Sequence, residues 1–587
     1  MDFFRGCNAG GLVGELSSNL QNGKSLWGTS ANPYLPSWIQ DNGISSQRSP
    51  WGDLSSFDNP YYAAPDTGMT RYYDWTITRD YIQPDGYNKS VILVNEQFPG
   101  PLLEANWGDW IEVTVTNNIE EVDEGTTIHW HGMLQESTPF MDGTPGVSQC
   151  PIAPGSTFTY RFRAHLYGSS WYHSHYSAQY SGGLFGPIVI YGPLNAPYDL
   201  DVGPISVGDW WHDQYFEVVE NIMAPNFTGR SFSDNNLIQG KNNFDCAGIA
   251  ANDTTNCTSN AGVANFHFQS GKIHRLRFYN SGSQGIQRIS IDEHTMSVVA
   301  NDFVEIEPYN TTVVTLGVGQ RVDVLVTANA GASDSSFWLR ANLTSCSGAN
   351  QPNAAAAILY EDADADVMPT STPWDVPDPG NCANDVLENT VPLYPIPLPE
   401  ATFTQHLNIN TTVNETGHFL WTFGGVSARV DFNNPTLLQV MDGNLTFEED
   451  LNVINYGSNS SVRLIINNPL PAPHPIHAHG LNMYILADGD GDFTDQALVR
   501  TDNPMRRDVQ NVRPFGHIVL QIETSNPGAW PFHCHIAWHA SAGFFAQMVF
   551  QPDQIPDIEL PDSIREGCDA WNAWTSGAEP NQIDSGL

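Results

Sequence analysis

The sequence predicts an all-β chain of three consecutive domains, each a Greek-key barrel or sandwich. Three observations carry that reading. Short runs alternate apolar and polar residues. Turn formers are abundant, with 50 Gly and 40 Pro. Two polar, proline-rich stretches interrupt an otherwise steady succession of strands. At 587 residues the chain is also too long for one core, since single cores rarely serve more than ~250 residues.

Residues 1–65 are rich in Ser, Asn, Gly and Pro without sustained periodicity, and an irregular extension is expected there. Strand-like runs then begin with Tyr72–Thr78 and Ser90–Val94. Trp110-Ile111-Glu112-Val113-Thr114-Val115-Thr116 alternates strictly, the pattern of a half-buried strand. Similar runs are Phe158–Phe162, Arg275–Phe278, Val322–Val326, Val462–Ile466 and His517–Ile522. The stretch Gly192–Pro197 and the longer one from Pro369 to Pro399 mark the breaks. Domains are therefore expected over 66–195, 196–375 and 376–560, followed by a tail over 561–587.

Composition excludes several classes. With 23 basic against 65 acidic residues the formal charge is −42. Such a chain repels nucleic acid and anionic membrane, so neither is an expected partner. No apolar run approaches the ~20 residues that span a bilayer. The start, Met1–Cys7, lacks the basic region and apolar stretch of a signal peptide and reads as that of a mature chain. Secretion is expected instead from the Asn-x-Ser/Thr triplets at Asn88, Asn226, Asn252, Asn256, Asn310, Asn342, Asn410, Asn414, Asn444 and Asn459. Eight cysteines are spread without any Cys-x-x-Cys, which argues against zinc ribbons and redox dithiols. An oxidising compartment would favour disulfides among them.

Histidines carry the chemistry. His-x-His occurs four times: His129-Trp130-His131, His173-Ser174-His175, His477-Ala478-His479 and His533-Cys534-His535. Residues i and i+2 of a strand share a face, so each pair aims two imidazoles at one point. Eight paired imidazoles suffice for more than one metal ion. Without carboxylates among them they suit copper, zinc, iron or nickel and disfavour magnesium, calcium and manganese. Cys534 decides between these. Its side chain points away from His533 and His535, so one strand serves two sites. A thiolate with two histidines, here His474 and His539, is the trigonal set of a blue-copper electron-transfer site. His165, His212, His267, His274, His294, His406, His418 and His517 lack such pairing and are read as structural.

These strings resemble the copper signatures of the multicopper oxidases, specifically ascomycete-type laccases. The resemblance runs from about residue 70 onward and includes Asn95–Pro101, Glu104–Asp109 and Asn503–Asp508. It implies three cupredoxin-like barrels and four copper ions, one of type 1, one of type 2 and a type 3 pair. By this resemblance His129 and His477 hold type 2 copper. His131, His173, His175, His479, His533 and His535 hold the type 3 pair, and His474, Cys534 and His539 hold type 1. The implied disulfides are Cys150–Cys568 and Cys346–Cys382; Cys246–Cys257 is a local guess, and Cys7 is left odd. Asp584-Ser585-Gly586-Leu587 resembles the C-terminal plug of those laccases. If the chain ends naturally at Leu587, its carboxylate is expected near the cluster.

The resemblance also implies an activity: four one-electron oxidations of phenols or aromatic amines, coupled to reduction of O2 to two waters by a monomeric secreted enzyme. Asp142 matches the family's acid beside the type 2 copper. Asp234 aligns with the substrate-pocket acid expected near His474, and Asp245 is a rival. The axial position, five residues after His539, holds Phe544, which cannot donate a lone pair, so a high reduction potential is expected. Leu481-Asn482-Met483 stands where His-Asp-Phe is common in the family. The alternatives are a pathway-specific phenol coupler, a metal-ion oxidase, or a non-catalytic cupredoxin carrier. The 11 Met form no cluster suited to metal ions, and a carrier needs only the Cys534 site.

Overall fold

The computed structural model of the chain describes residues 51, 54–120, 122–193, 195–227, 229, 231–577 and 582–587. Most of the expected N-terminal extension, and Cys7 with it, lies outside the described residues. Its last part, from Leu54 to Pro65, has no regular structure yet is pinned to the body. Tyr394 donates its hydroxyl to the Ser56 carbonyl (2.9 Å), and Arg163 donates to the Pro65 carbonyl (2.6 Å).

Each run picked out by alternation lies within a strand. In Thr157–Arg163, for example, Phe158, Tyr160 and Phe162 turn inward while Thr157 and Arg161 face solvent. That is the division a sheet with one buried face imposes. The strands form three pairs of sheets and one two-stranded ribbon, Ile409–Val413 with Phe419–Phe423. In the first domain a four-stranded sheet runs in the order Lys89–Val94, Thr70–Ile82, Trp110–Asn117, Thr157–Arg163. A second sheet orders Leu103–Asn106, Phe185–Tyr191, Gly168–Ser174 and Ile128–Trp130. Trp75 from one sheet packs against Trp130 and Tyr172 from the other, at 5.7 and 4.4 Å between ring centres. The middle domain pairs a six-stranded with a five-stranded sheet, and the third pairs two five-stranded sheets. Spatial neighbours are often far apart in sequence, so the chain crosses between sheets as Greek keys require.

Register places the histidines. His129 lies opposite His173 across the Ile128–Trp130 and Gly168–Ser174 strands. His477 lies opposite His533 across His474–Ala478 and Gly528–Cys534. Directly opposed residues have Cβ atoms ~5 Å apart, so two strand pairs bring their imidazoles together before any loop is placed.

Three disulfides are present, Cys150–Cys568, Cys246–Cys257 and Cys346–Cys382, and Cys534 is the free cysteine among the described residues. The first fastens the helix Asp562–Thr575 to the first domain. Ile564, Cys568 and Trp571 form that helix's buried face, at the spacing of successive turns. Beyond it, Asp584 to Leu587 are buried. No described helix is long and apolar enough to cross a membrane.

Candidate metal centre

The strand Gly528–Cys534 ends at the thiol, and the short helix Ala537–Ser541 that follows turns His539 back toward it. Cys534 Sγ lies 3.7 Å from His474 Nδ1 and 3.6 Å from His539 Nδ1, with 3.2 Å between the two nitrogens. The centre of such a triangle is roughly 2 Å from each corner, the length of a bond to a first-row metal ion. Burial pushes the Cys534 thiol far above its ordinary range, so it ionises only if a cation takes the proton's place. Burial likewise keeps both imidazoles neutral, His539 down to about 3. Three soft or borderline donors with free lone pairs fit copper.

The apolar lining of this triangle is tight. Phe544 is fully buried with its ring centre 5.0 Å from that of His474. Trp421 packs against both imidazoles and against Phe544. His474 is buried, and His539 is the partly exposed member of the three.

On the far side of the strand the eight paired histidines converge. His479 Nε2 and His533 Nε2 are 3.1 Å apart, and His131 Nδ1 lies 3.3 Å from His535 Nε2 and 3.5 Å from His173 Nε2. Six of the eight rings are aimed by a hydrogen bond from the nitrogen that faces away from the cluster. His129 donates from Nδ1 to the Asp142 carbonyl (2.8 Å), His173 to that of Ser174 (2.8 Å), His477 to that of Asp508 (2.9 Å) and His533 to that of Cys534 (3.0 Å). His131 donates from Nε2 to Asp508 Oδ1 (3.0 Å), and His479 from Nδ1 to Asp142 Oδ2 (2.9 Å). This fixes the tautomers so that lone pairs face inward, as metal-binding histidines require. Burial first, and the neighbouring imidazoles second, hold His131, His175, His477 and His479 well below 6.5. The Nε2 atoms of His129, His175 and His477 are buried without a hydrogen-bond partner. Orphaned lone pairs at one focus mark a site that metal ions complete.

The cluster leaves no room for side chains on the backbone beside it. Gly319 has φ +86°, and a Cβ there would lie 2.8 Å from His535 and 3.0 Å from His131. Gly132 has φ +78°, and a Cβ would meet Arg321 at 2.5 Å.

Two acids support the imidazoles. Asp142 is fully buried, bonded to His479 and to the Thr144 hydroxyl (2.8 Å), with Oδ1 3.3 Å from His129 Nδ1. Asp508 had no role assigned by sequence, although it closes the string Asn503–Asp508. It carries His131 on its side chain and His477 on its carbonyl. Arg321 grips both its oxygens (2.5 and 2.7 Å), and Asp302 links Arg321 to Arg507. Burial raises the Asp508 carboxyl to about 6 against the pull of Arg321. Trp421 also escaped sequence reasoning. Neither Arg321 nor Trp421 stands in a motif, and each reaches the site only through folding.

The two proposed pocket acids each have defined hydrogen-bond partners. Asp234 accepts from the His212 amide (2.8 Å) and from the Asn350 side chain (3.3 Å). Asp245 is exposed and caps the short helix Cys246–Gly248 by accepting from the Ala247 amide. Neither of these bonds reaches His474 or His539.

Comparison with known proteins agrees with this site. Models of the multicopper oxidase family match residues 76–195, 201–363 and 427–554. The chain is 38% identical over 551 residues to oxidoreductase OpS5 of Beauveria bassiana, covering 92% of both chains. It is 37% identical to laccase-2 of Botryotinia fuckeliana, over 92% of this chain and 93% of the relative. The crystal structure of the laccase from Botrytis aclada superposes with a TM-score of 0.84 at 36% identity, covering 92% of this chain and 98% of that one.

Proposed function

The chain belongs to the multicopper oxidase family, and from that premise we propose that it is a laccase-type oxidase holding four copper ions. It would couple four one-electron oxidations of a phenol or aromatic amine to reduction of one O2 to two waters. Within this reading His474, Cys534 and His539 hold type 1 copper, and His129 and His477 hold type 2. His131, His173 and His535, with His175, His479 and His533, hold the type 3 pair. When bound, copper supplies the one-electron redox chemistry that side chains lack. The ten sequons and three disulfides support an extracellular enzyme.

One observation carries the reading: Cys534 aims its sulfur at one donor set while its two sequence neighbours point into the other. Two peptide links therefore join the two sites, a short covalent path for electrons. His539, as the partly exposed ligand, offers the ring edge at which a reductant can deliver an electron without entering the protein. Trp421 packs on His539 and Phe544 on His474, apolar cover for the two imidazoles beside the sulfur. Reduction of O2 consumes four protons, and Asp142 is the buried carboxyl placed to hold and pass them beside His129 and His479.

Metal analysis, visible spectroscopy and oxygen uptake with 2,6-dimethoxyphenol test this together. About four coppers per chain, an intense thiolate-to-copper band and one O2 consumed per four phenols oxidised are expected. Copper-loaded protein that is colourless and inert toward oxygen and phenols would overturn it.

A further inference from the structure

A second cavity, of about 290 Å³, opens beside the C-terminal segment. A dry cavity of ~150 Å³ already accommodates benzene, so this one has room for a substituted ring. Tyr176, Tyr215, Phe216 and Phe432 line it; among the described residues no Lys, Arg or His does, the Arg79 guanidinium standing 5.9 Å from the Phe216 ring centre. Of the acids on its wall, Glu124 is bound by Arg79 (2.5 Å) and by the Tyr215 hydroxyl. Asp123 and Glu220 are exposed and carry their charge at the cavity's edge.

Its floor is the contact between the first domain and the C-terminal segment. Ser177 donates its hydroxyl to Asp584 Oδ2 (2.6 Å) and its amide to the Gly586 carbonyl (3.0 Å). Ser177 also lines a smaller cavity formed by His173, His175, His533 and His535 and closed by Leu587. One residue thus separates the aromatic cavity from the histidine cluster, whereas His539 lines neither.

We propose that the larger cavity is a binding site for a small aromatic ammonium ion, and that a molecule seated there slows the reaction with oxygen while leaving His539 open to reductant. Aromatic walls take the ring, and ring faces with carboxylates attract the cation. An anion of equal size meets the exposed carboxylates of Asp123 and Glu220. The consequence for oxygen rests on the oxidase reading above; the binding itself does not.

Calorimetric titration of the full, copper-loaded chain with benzyltrimethylammonium tests the site, with benzenesulfonate as the anionic counterpart. One saturable site for the cation is expected and none for the anion. Phe216→Ala and Glu220→Gln should each weaken the cation roughly fivefold. In an oxygen electrode at saturating phenol, the cation should raise the O2 concentration giving half-maximal rate, without competing with phenol. Absence of saturable binding, equal binding of the anion, indifference to both substitutions, or competition with phenol would each overturn the proposal. A chain that consumed no oxygen with any phenol would refute the oxidase reading, and the titration would still decide the site.

Discussion

The indole of Trp421 packs 4.2 Å, centre to centre, from the imidazole of His539. Trp421 is buried, so it keeps water from one side of the donor triangle. The polarity around a metal site helps set its reduction potential, because water stabilises the more highly charged state. Trp421→Ala should therefore lower the potential of the type 1 site in a redox titration. The emptied volume should also cost about 3 kcal/mol of stability. An unchanged potential would mean that the ring only packs.

Cys534→Ser should remove the visible band and steady-state turnover together. The eight paired histidines sit across the strand, six of them with hydrogen bonds of their own, so metal content should fall by about a quarter and no further. Retained colour would contradict the thiolate assignment.

Arg321 is fully buried between Asp508 and Asp302. Arg321→Met removes the charge that both carboxylates face, and breaking such a buried pair costs roughly 3–5 kcal/mol. Denaturant unfolding should show that loss, and copper content should fall because Asp508 no longer holds His131 and His477 in place. A variant with wild-type stability and metal content would remove the network from the account.

Asp142→Asn keeps the size of the side chain but loses its ionisable proton and its charge beside His479. A fall in kcat of roughly 10–100-fold is expected, with KM for phenol little changed. Equal effects on kcat and KM would point to general disruption.

Burial pushes the partly buried carboxyls of Glu104 and Glu305 up to about 7, against the pull of the Tyr191 hydroxyl on the first and of Arg275 on the second. Their ordinary value is 4.5. Below pH 4.5 folded and unfolded chains both keep these protons. Between 4.5 and 7 the unfolded chain releases them first, so stability falls as pH rises and the loss saturates above about 7. Each group should account for on the order of 2 kcal/mol. Denaturation midpoints of Glu104→Gln/Glu305→Gln should vary less over that interval than those of the wild type, and parallel profiles would refute the assignment.

What the sequence disclosed was periodic. Alternation in Trp110–Thr116 and the i, i+2 spacing of the histidine pairs are local signals, and period-two geometry turns them directly into shared faces. The convergence of His131 on Asp508 is not local, since 377 residues separate them. The same holds for Arg321, which looks like one more polar residue in a strand until the third domain closes over it. Asp234 is bonded by the His212 amide and by the Asn350 side chain, partners that neither composition nor spacing discloses.

The Cys150–Cys568 bond joins residues 418 positions apart. It converts most of the polypeptide into a closed loop, within which Cys346–Cys382 closes a smaller one. The exposed stretch between those two cysteines, around 361–381, is where a protease would find the chain. A single cut there leaves both fragments tied by two covalent bridges, and non-reducing electrophoresis should show one band where reducing conditions show two. Because ligands come from both fragments, a nicked molecule could keep its colour and its catalysis.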